Sequence, residues 1–522
     1  MARETDNAAN ATEAAAKAGE RAATKMTKAG ERVAAETADQ IENASKASGP
    51  RLSLVDPKPR IPRGQVLVVA NRYHIVLVPG FAGFDALGQV EYYTGVTSLF
   101  QTWKNSTAAI LHYFDNLPTA AVRTRAKRLC AFLAKRMVRG EILEGDKVVL
   151  VGHSTGGLDI RQLMRDLHDS HDLPVYADGG ASVTGRDIRS RIDTVVFLSV
   201  PHWGTNIADW VHSHPAWRRL IIAELRAAIA GSQVYLVDSI EARITGGIGS
   251  FAGTDLLLAA KDALTEANEN YGARSPSRTA DAQEAASELA LYLRHASSDF
   301  GAIDDLTSQA NDPKQKSPAH WDEDEREREL ELWRGSPSED YPPIRTLSFA
   351  TVGGRPFRFP SGARAPVWEL TRPWTYPELA KDAKLSAGTD LAYRFCYRAC
   401  AGGPFRWPKH PGRVSRVLGP APPDPLELWD NDGIVNTASM FWPEGETVLL
   451  MGDHLDIVGH YHLVPAQETS DNHKDQPARR YRSYDALKST PQFTAERFDE
   501  VWTQIFDFAT QHVAAAVAEG GV

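Results

Sequence analysis

The amino-acid sequence predicts an α/β fold with a mostly parallel central sheet, helices on both faces of the sheet and a helical cap insertion. The first observation behind this prediction is that short, continuously apolar segments recur: QVLVVA (65–70), HIVLVPG (74–80), KVVLVG (147–152) and IDTVVFLSVP (192–201). The second is that segments with helical spacing alternate with them. Strands that are apolar on both sides and separated by helices are typical of a covered parallel sheet.

The clearest helix is TAAVRTRAKRLCAFLAKRMVRG (119–140). Its apolar residues recur at helical spacing, and Gly140 is the predicted end. A second helix is predicted from about Gly156 to Leu167. Later strands are predicted at IRTLSFATVG (345–354) and ETVLLMG (446–452), followed by the amphipathic helix ERFDEVWTQIFDFATQHVAAAVAEG.

Interruptions of this alternation divide the chain into five predicted parts. They are a repeat-containing amphipathic or disordered tail (1–48), a linker (49–64), the first part of the core (65–204), a helical cap or lid (205–340) and the second part of the core (341–522), which includes an irregular excursion (355–425). The charge run WDEDERERELELWRG, near the end of the cap, is interpreted as a solvated helix face.

The tail contains a repeat, since KAGERAA (17–23) returns as KAGERVA (28–34), eleven residues later. An eleven-residue period keeps one face of a helix aligned. That weakly apolar face suggests that residues 1–48 either pair with another chain or bind a lipid or polyester particle surface. A solvated, disordered tail is the alternative.

Composition and charge exclude several classes of protein. A formal net charge of −9 argues against a nucleic-acid partner. No apolar run approaches the roughly 20 residues that span a bilayer, so no transmembrane segment is expected, and the N-terminus lacks the pattern of a secretory signal. Three cysteines are too few for a disulfide framework or a structural zinc site. A cytoplasmic protein is therefore expected, with granule or lipid-droplet association as the alternative.

The pentapeptide Gly152-His153-Ser154-Thr155-Gly156 lies between a predicted strand and a predicted helix. This is the setting of a nucleophile elbow, a tight turn that raises a serine hydroxyl above the edge of the sheet. The alternative is that Ser154 is an ordinary serine in a glycine-rich turn.

A serine nucleophile requires a base and an acid that orients the base. MGDHLDIVGHYH offers His454 just after the last predicted strand, and LWDNDGIVNTASM offers Asp432 upstream of it. The order Ser, Asp, His is the one this sheet architecture uses. A structural histidine and a turn-forming Asp-Gly are the alternatives.

A site for the developing oxyanion is also predicted. The backbone N–H of Thr155 and that of Phe81, in HIVLVPGFAGFD, are the expected donors. The alternative is that PGFAG is only a turn.

Five segments resemble the bacterial true lipases, especially the thermoalkalophilic branch: VLVPGFAGFD, VGHSTGG, LSVPHWGT, NDGIVNTASM and DHLDIVGH, spread over roughly residues 72 to 465. The resemblance implies an α/β-hydrolase fold. It also implies that Asp432 is the triad acid, His454 the base and Phe81 an oxyanion donor.

The chain departs from that family at its metal sites. It has no histidine between residues 114 and 152, so the zinc site of the thermoalkalophilic branch is not expected. Asp456 matches one carboxylate of the family's calcium site, but Tyr461 stands where a second is expected. No metal and no cofactor is therefore predicted.

These features together predict a carboxylic-ester hydrolase of the lipase or esterase type that acts on a hydrophobic ester through an acyl-enzyme. Apolar residues of the cap favour a bulky acyl group, or are ordinary cap core: Trp210, Trp217, Ile221, Ile222 and Leu225.

Three alternatives stay open. An intracellular polyhydroxyalkanoate depolymerase or lipid-droplet hydrolase would use the tail for binding. An acyltransferase would use the same triad. A catalytically inert, hydrolase-like protein would only bind particles.

Overall fold

The computed structural model of the chain describes residues 72–83, 86–87, 90–104, 106–176, 182–213, 295, 299–309, 316–335, 342–353, 400, 412–420, 426, 430–461 and 493–510. Several sequence predictions fall outside these residues: the tail (1–48), the linker (49–64), the strand at 65–70, and Trp217, Ile221, Ile222 and Leu225 of the cap. The division into five parts therefore stays a prediction.

Seven strands of the described residues form one sheet. They are β1 (Tyr73–Val78), β2 (Ala109–Tyr113), β3 (Lys147–His153), β4 (Ile192–Leu198), β5 (Arg345–Val352), β6 (Arg416–Leu418) and β7 (Glu446–Met451). Their order across the sheet is β6-β7-β5-β4-β3-β1-β2, and every neighbouring pair runs parallel. Two short antiparallel hairpins pair Ala86–Leu87 with Val90–Glu91 and Pro174–Tyr176 with Ser182–Thr184.

Helices cover both faces of this sheet. In chain order the described helices are α1 (Val96–Thr102), α2 (Val122–Val138), α3 (Thr155–Asp169), α4 (Gly185–Arg191), α5 (Asn206–Ser213), α6 (Gly301–Asp305), α7 (Glu323–Arg334) and α8 (Ala495–Ala509). Short 3₁₀ turns lie at Ser106–Ala108, Pro318–His320, Thr437–Met440 and Asp456–Val458. None of the described helices is long and apolar enough to cross a bilayer.

Alternate residues of β1 divide between the two hydrophobic cores. Ile75 and Leu77 belong to the core shared with α1 and α8, whereas Val76 and Val78 belong to the core shared with α2, α3 and α7. This alternation follows from the two-residue period of a strand. The sheet is thus the middle of three layers.

The last helix shows how an amphipathic pattern forms one of these layers. The Thr494 side chain caps α8 by accepting a hydrogen bond from the N–H of Arg497. Phe498, Trp502 and Phe506 recur every four residues along α8 and are buried against the sheet. Burying a phenylalanine fully stabilises the fold by about 1.5–3 kcal/mol, so this stripe holds the helix in place.

The parallel sheet between two helical layers confirms the predicted α/β-hydrolase fold. The strands predicted at 74–80, 147–152, 192–201, 345–354 and 446–452 correspond to β1, β3, β4, β5 and β7. The helices predicted at 119–140 and from Gly156 to Leu167 correspond to α2 and α3.

Both edges of the sheet differ from the sequence prediction. Residues 355–425 were expected to be irregular throughout, but Arg416–Leu418 form β6, which pairs with β7. At the other edge, β2 had no counterpart in the prediction. Both edge strands are short, with five residues in β2 and three in β6, and so lack the long apolar run by which the inner strands are predicted.

The interpretation of the charge run as a solvated helix face is wrong for part of α7. Glu329 and Trp333 are buried on the side of α7 that faces α3. The Arg161 guanidinium on α3 donates to both carboxylate oxygens of Glu329, at 2.7 and 2.6 Å. A charged residue can occupy the core when a partner of opposite charge satisfies it there, which a pattern of exposed charges does not reveal.

We expect Glu329→Ala to lower the free energy of unfolding by about 3–5 kcal/mol, because it leaves the Arg161 charge buried and unpaired. Glu331, on the exposed side of the same helix, provides the control Glu331→Ala, for which the loss should stay within about 0.5 kcal/mol. Urea unfolding monitored by tryptophan fluorescence measures both. Equal effects of the two substitutions would contradict the assigned role of the buried pair.

Candidate active site

Ser154 occupies a strained turn between β3 and α3. Its backbone has φ 53° and ψ −129°, a conformation that an L-residue adopts only at a cost of about 1–3 kcal/mol. The turn is fixed at both sides, since the N–H of Ser154 donates to the Leu198 carbonyl at 2.8 Å and its carbonyl accepts from the N–H of Gly157 at 3.0 Å. The strand, turn and helix around Gly152, His153 and Gly156 thus have the order that a nucleophile elbow requires.

His454 and Asp432 form a hydrogen-bonded pair. His454 Nδ1 lies 2.7 Å from Asp432 Oδ2, and both residues are buried. Because the carboxylate oxygen accepts, Nδ1 carries the proton and Nε2 is the acceptor nitrogen. The same Oδ2 accepts from the Thr351 hydroxyl at 2.8 Å, while Oδ1 accepts from the N–H groups of Ile434 and Val435.

The two oxygens of the Asp432 carboxylate have different partners. The carboxylate does form a turn with the residues that follow Gly433, as a turn-forming Asp-Gly would. That turn uses one oxygen only and leaves the other for His454 and Thr351. Asp432 is therefore locked in one orientation by the same contacts that close the loop.

Ser154 and His454 line one cavity at the carboxyl edge of the sheet. Ser154 follows β3 directly, and His454 lies three residues after β7. No hydrogen bond joins Ser154 Oγ to His454 within the described residues, and such bonds in ligand-free sites are often long and tighten when substrate binds. The structure brings His454 and Asp432 into contact and places Ser154 on the same cavity.

The two predicted oxyanion donors flank Ser154. Thr155 provides the first N–H of α3, which has no partner inside the helix. The Phe81 N–H makes no hydrogen bond to the described part of the chain, and the Phe81 side chain lines the same cavity. A Cβ added to Gly80 would lie 2.6 Å from the Cβ of Ser154, so the loop after β1 approaches the serine as closely as a glycine permits.

The cavity wall is mainly apolar. Besides the residues above, its lining comes from α5, α6 and the loops before and after β7: Pro201, Ile207, Ala208, Val211, Ile303, Leu306, Ile434, Val435 and Leu455. Trp210, which the sequence analysis assigned to acyl binding or cap core, packs beside Ile207, Cys400 and Ile434. The side of α5 that lines the cavity therefore carries Ile207 and Val211.

His153 joins three parts of the site. Burial lowers the pKa of the His153 imidazole well below its usual value, so the ring is neutral and has one donor and one acceptor. Nε2 donates to the His454 carbonyl at 2.8 Å, and Nδ1 accepts from the Tyr92 hydroxyl at 2.6 Å. The Tyr92 oxygen in turn accepts from the N–H of Gly80 at 3.0 Å.

Sequence patterns did not identify Tyr92, Arg125 or Asp159. Tyr92 and Arg125 hydrogen-bond to the loop after β1, and Asp159 pairs with Arg125. A signal for Arg125 was present, because it lies three residues after Val122 and four before Leu129 on the apolar face of α2. A charged residue on a buried helix face requires a partner, and the partner is Asp159 on α3.

Asp456, the residue that matches one carboxylate of the calcium site, hydrogen-bonds with Asp453. Asp456 Oδ2 accepts from the N–H of Asp453 at 2.7 Å, and Asp453 Oδ1 accepts from the N–H of Asp456 at 3.1 Å. Tyr461 packs against Phe493 and Phe498. The described residues contain no group of three or more histidine, cysteine or acidic side chains that could hold a metal ion, and the expectation that none is needed stays a prediction.

No protein-family model and no curated protein matches the sequence. Solved structures similar to this chain include three bacterial lipases. The Staphylococcus hyicus lipase is 13% identical with a TM-score of 0.41, over 85% of this chain and 97% of that chain. Lipase 1 from Pelosinus fermentans is 16% identical with a TM-score of 0.35, over 83% and 98%. The mature Bacillus licheniformis lipase BlEst2 is 12% identical with a TM-score of 0.33, over 74% and 86%. The thermoalkalophilic branch stays a prediction.

Asp305 connects the cavity wall to α2. It is the last residue of α6, and its Oδ2 accepts the N–H of Val122, the first residue of α2, at 2.7 Å. Burial, with a smaller contribution from the nearby Asp159, Asp304 and Asp299, raises the pKa of the Asp305 carboxyl to about 7 against the lowering effect of the Val122 N–H. The folded chain therefore binds a proton here that the unfolded chain releases near pH 4.

From this shift we expect a pH-dependent contribution to stability. Between about pH 4 and 7 the proton on Asp305 should make the free energy of unfolding fall with rising pH, by up to about 1.4 kcal/mol per pH unit. Asp305→Asn keeps an oxygen acceptor and should remove this contribution. The free energy of unfolding of the variant should therefore increase relative to that of the wild type as pH rises. Urea unfolding at several pH values measures the difference. The exposed Asp499 provides the control Asp499→Asn, and a difference independent of pH for Asp305→Asn would contradict the shift.

Proposed function

We propose that the protein is a serine carboxylic-ester hydrolase that acts on esters with an apolar acyl chain. One observation carries this proposal: the hydrogen-bonded pair His454–Asp432 and the strained Ser154 meet at one apolar cavity, beside the Phe81 N–H, which has no partner in the described part of the chain. Each part, taken alone, also has a purely structural explanation. Their convergence from separate segments of the chain favours ester hydrolysis.

In the proposed mechanism, Ser154 Oγ attacks the carbonyl carbon of the ester while His454 Nε2 accepts the hydroxyl proton. Asp432 keeps the imidazole in the tautomer that this step requires and stabilises the imidazolium that forms. His454 then returns the proton to the leaving alcohol, and an acyl-enzyme remains. A water molecule, deprotonated by His454, attacks the acyl-enzyme and releases the acid and free Ser154.

The negative charge of each tetrahedral intermediate would lie between the N–H groups of Phe81 and Thr155. Both donors belong to backbone that is fixed before substrate arrives, so they require no reorganisation at the moment of reaction. One such donor is worth about 2.7–4 kcal/mol of transition-state stabilisation in comparable sites.

The apolar wall supports the substrate class. The acyl chain would lie against α5 and α6, along Ile207, Val211 and Ile303. Burial of apolar surface contributes about 0.8 kcal/mol for each methylene group. A medium or long acyl chain should therefore bind better than an acetyl group.

To test the nucleophile, we expect Ser154→Ala to reduce hydrolysis of p-nitrophenyl octanoate by roughly 10³-fold or more, because no covalent intermediate can form. A fluorophosphonate probe should label the wild type and leave this variant unlabelled. Ser190→Ala, at an exposed serine of α4, should be labelled and active like the wild type. Full activity of Ser154→Ala, or a wild type that neither reacts with the probe nor hydrolyses esters, would refute the proposed function.

To test the acyl site, we expect Ile207→Trp to shift the chain-length preference, since the larger side chain fills part of the cavity. The ratio of kcat/KM for p-nitrophenyl octanoate to that for p-nitrophenyl acetate should fall about tenfold or more, a change typical of one or two methylenes lost from a hydrophobic pocket. Leu143→Trp, at an exposed position outside the cavity, is the control. An unchanged ratio for Ile207→Trp would place the acyl chain elsewhere.

A further inference from the structure

A fully buried ion pair lies behind the loop that carries Phe81. Arg125 on α2 and Asp159 on α3 both have fully buried side chains. Arg125 Nε lies 3.1 and 2.9 Å from the two carboxylate oxygens, and the Asn116 amide donates to the same carboxylate at 3.1 Å. Burial of such a pair often costs more than the attraction returns, compared with an apolar pair of similar volume. Stability alone is therefore a weak reason for its presence.

The two terminal nitrogens of the Arg125 guanidinium donate to backbone carbonyl oxygens. Nη2 donates to the carbonyls of Pro79 and Gly80 at 2.7 and 3.0 Å, and Nη1 donates to those of Leu117 and Pro118, both at 3.1 Å. A guanidinium is planar and always charged, with its donors in a rigid fork. The side chain thus fixes the loop after β1 relative to the segment before α2.

One of these contacts sets the direction of the Phe81 N–H. The Gly80 carbonyl and the Phe81 N–H belong to the same peptide group, which is planar and trans, so the two bonds point in opposite directions. A carbonyl fixed by Arg125 therefore fixes the N–H on the other side. Hydrogen bonds in a chain polarise one another, so the charged donor at the carbonyl also makes this N–H a stronger donor.

The preceding peptide group is held at both ends. The Pro79 carbonyl accepts from Arg125, and the Gly80 N–H donates to the Tyr92 hydroxyl at 3.0 Å. Within the described residues, the N–H of Phe81 is left without a partner between these fixed groups, beside Ser154. The loop is arranged to present one donor to the cavity.

We propose that Arg125, oriented by Asp159, is a positioning residue of the oxyanion hole: it holds the Gly80–Phe81 peptide so that the Phe81 N–H faces the oxygen that becomes negative. Arg125 touches neither Ser154 nor substrate and acts through this peptide group. The inference rests on the proposed function, because an oxyanion forms only if the protein carries out acyl transfer.

The main experiment replaces both partners at once. The double variant Arg125→Met/Asp159→Leu removes the pair without leaving a buried charge. Because it also removes the donor to four backbone carbonyls and the acceptor of the Asn116 amide, urea unfolding of the double variant is measured first. We expect kcat for p-nitrophenyl octanoate to fall about 100-fold, the loss that a misplacement of about 1 Å can cause, with KM within about threefold of the wild type. Arg123→Met, at an exposed arginine on the same helix, should leave both constants unchanged.

A transition-state analogue separates positioning from a general structural defect. An alkyl trifluoromethyl ketone adds to the serine and places an oxyanion in the hole, so its inhibition constant should weaken by the same factor as kcat falls. The rate constant should be expressed per active site titrated with a fluorophosphonate. A double variant that keeps wild-type kcat and inhibition constant would overturn the inference, as would a loss confined to the number of titratable sites.

Tyr92→Phe tests the inference if the double variant does not fold. It removes the hydroxyl that accepts the Gly80 N–H and donates to His153 Nδ1, leaves the Arg125 contacts in place, and should lower kcat about tenfold with the same parallel weakening of the ketone. Unchanged constants in Tyr92→Phe would contradict the inference that holding the peptide group before Phe81 positions the Phe81 N–H. A wild type that is active and dependent on Ser154 separates these outcomes from failure of the proposed function itself.

Discussion

The candidate site depends on the close approach of two backbone turns, the one at Ser154 and the loop that follows β1. A Cβ on Gly156 would lie 2.8 Å from the Pro79 carbonyl oxygen, and one on Gly80 would lie 2.6 Å from the Cβ of Ser154. Contacts this short exclude any side chain at either position. Glycine is therefore required at both positions because the two backbone segments lie so close together, rather than for backbone flexibility. This close approach brings Ser154 and Phe81 to the same cavity.

Two buried ion pairs hold α3, the helix that begins at the serine. Asp159 pairs with Arg125 on α2, and two residues further along α3 Arg161 pairs with Glu329 on α7. The helix is therefore fixed on two sides by contacts with strict geometry. Apolar packing alone tolerates small shifts more readily than a fork of hydrogen bonds does. The strained conformation of Ser154 persists because its surroundings allow no relaxation.

The sequence could predict what depends on local pattern. Continuous apolar strands and the strand-turn-helix order around Ser154 lie within short segments, and the order Ser154, Asp432, His454 can be found once the strands are assigned. The pairing of buried charges could not be predicted in the same way, because the two partners of each pair are distant along the chain. Arg125 and Asp159 are separated by 34 positions, and Arg161 and Glu329 by 168.

The edge strands and the cavity wall were missed for different reasons. Arg416–Leu418 is three residues long, and such a strand has no period to detect. Trp210 was among the five residues predicted either to favour a bulky acyl group or to form the cap core, and Ile207 and Val211, which line the cavity, were not among them. Which side of an eight-residue helix faces a cavity depends on its neighbours, and for α5 these include Cys400 and Ile434.

A single helix, α2, links the apolar wall to the oxyanion donor. At its N-terminus, the free N–H groups of Ala121 and Val122 are accepted by Asp299 and Asp305, which flank the α6 residues that line the cavity. One turn further along, Arg125 holds the loop that presents Phe81. The contacts that would place the acyl chain and those that would place the oxyanion in the proposed mechanism thus share one rigid element. A substitution at the N-terminus of α2 that shifts this helix would change the position of the Phe81 N–H as well as the shape of the cavity, because Arg125 moves with the helix.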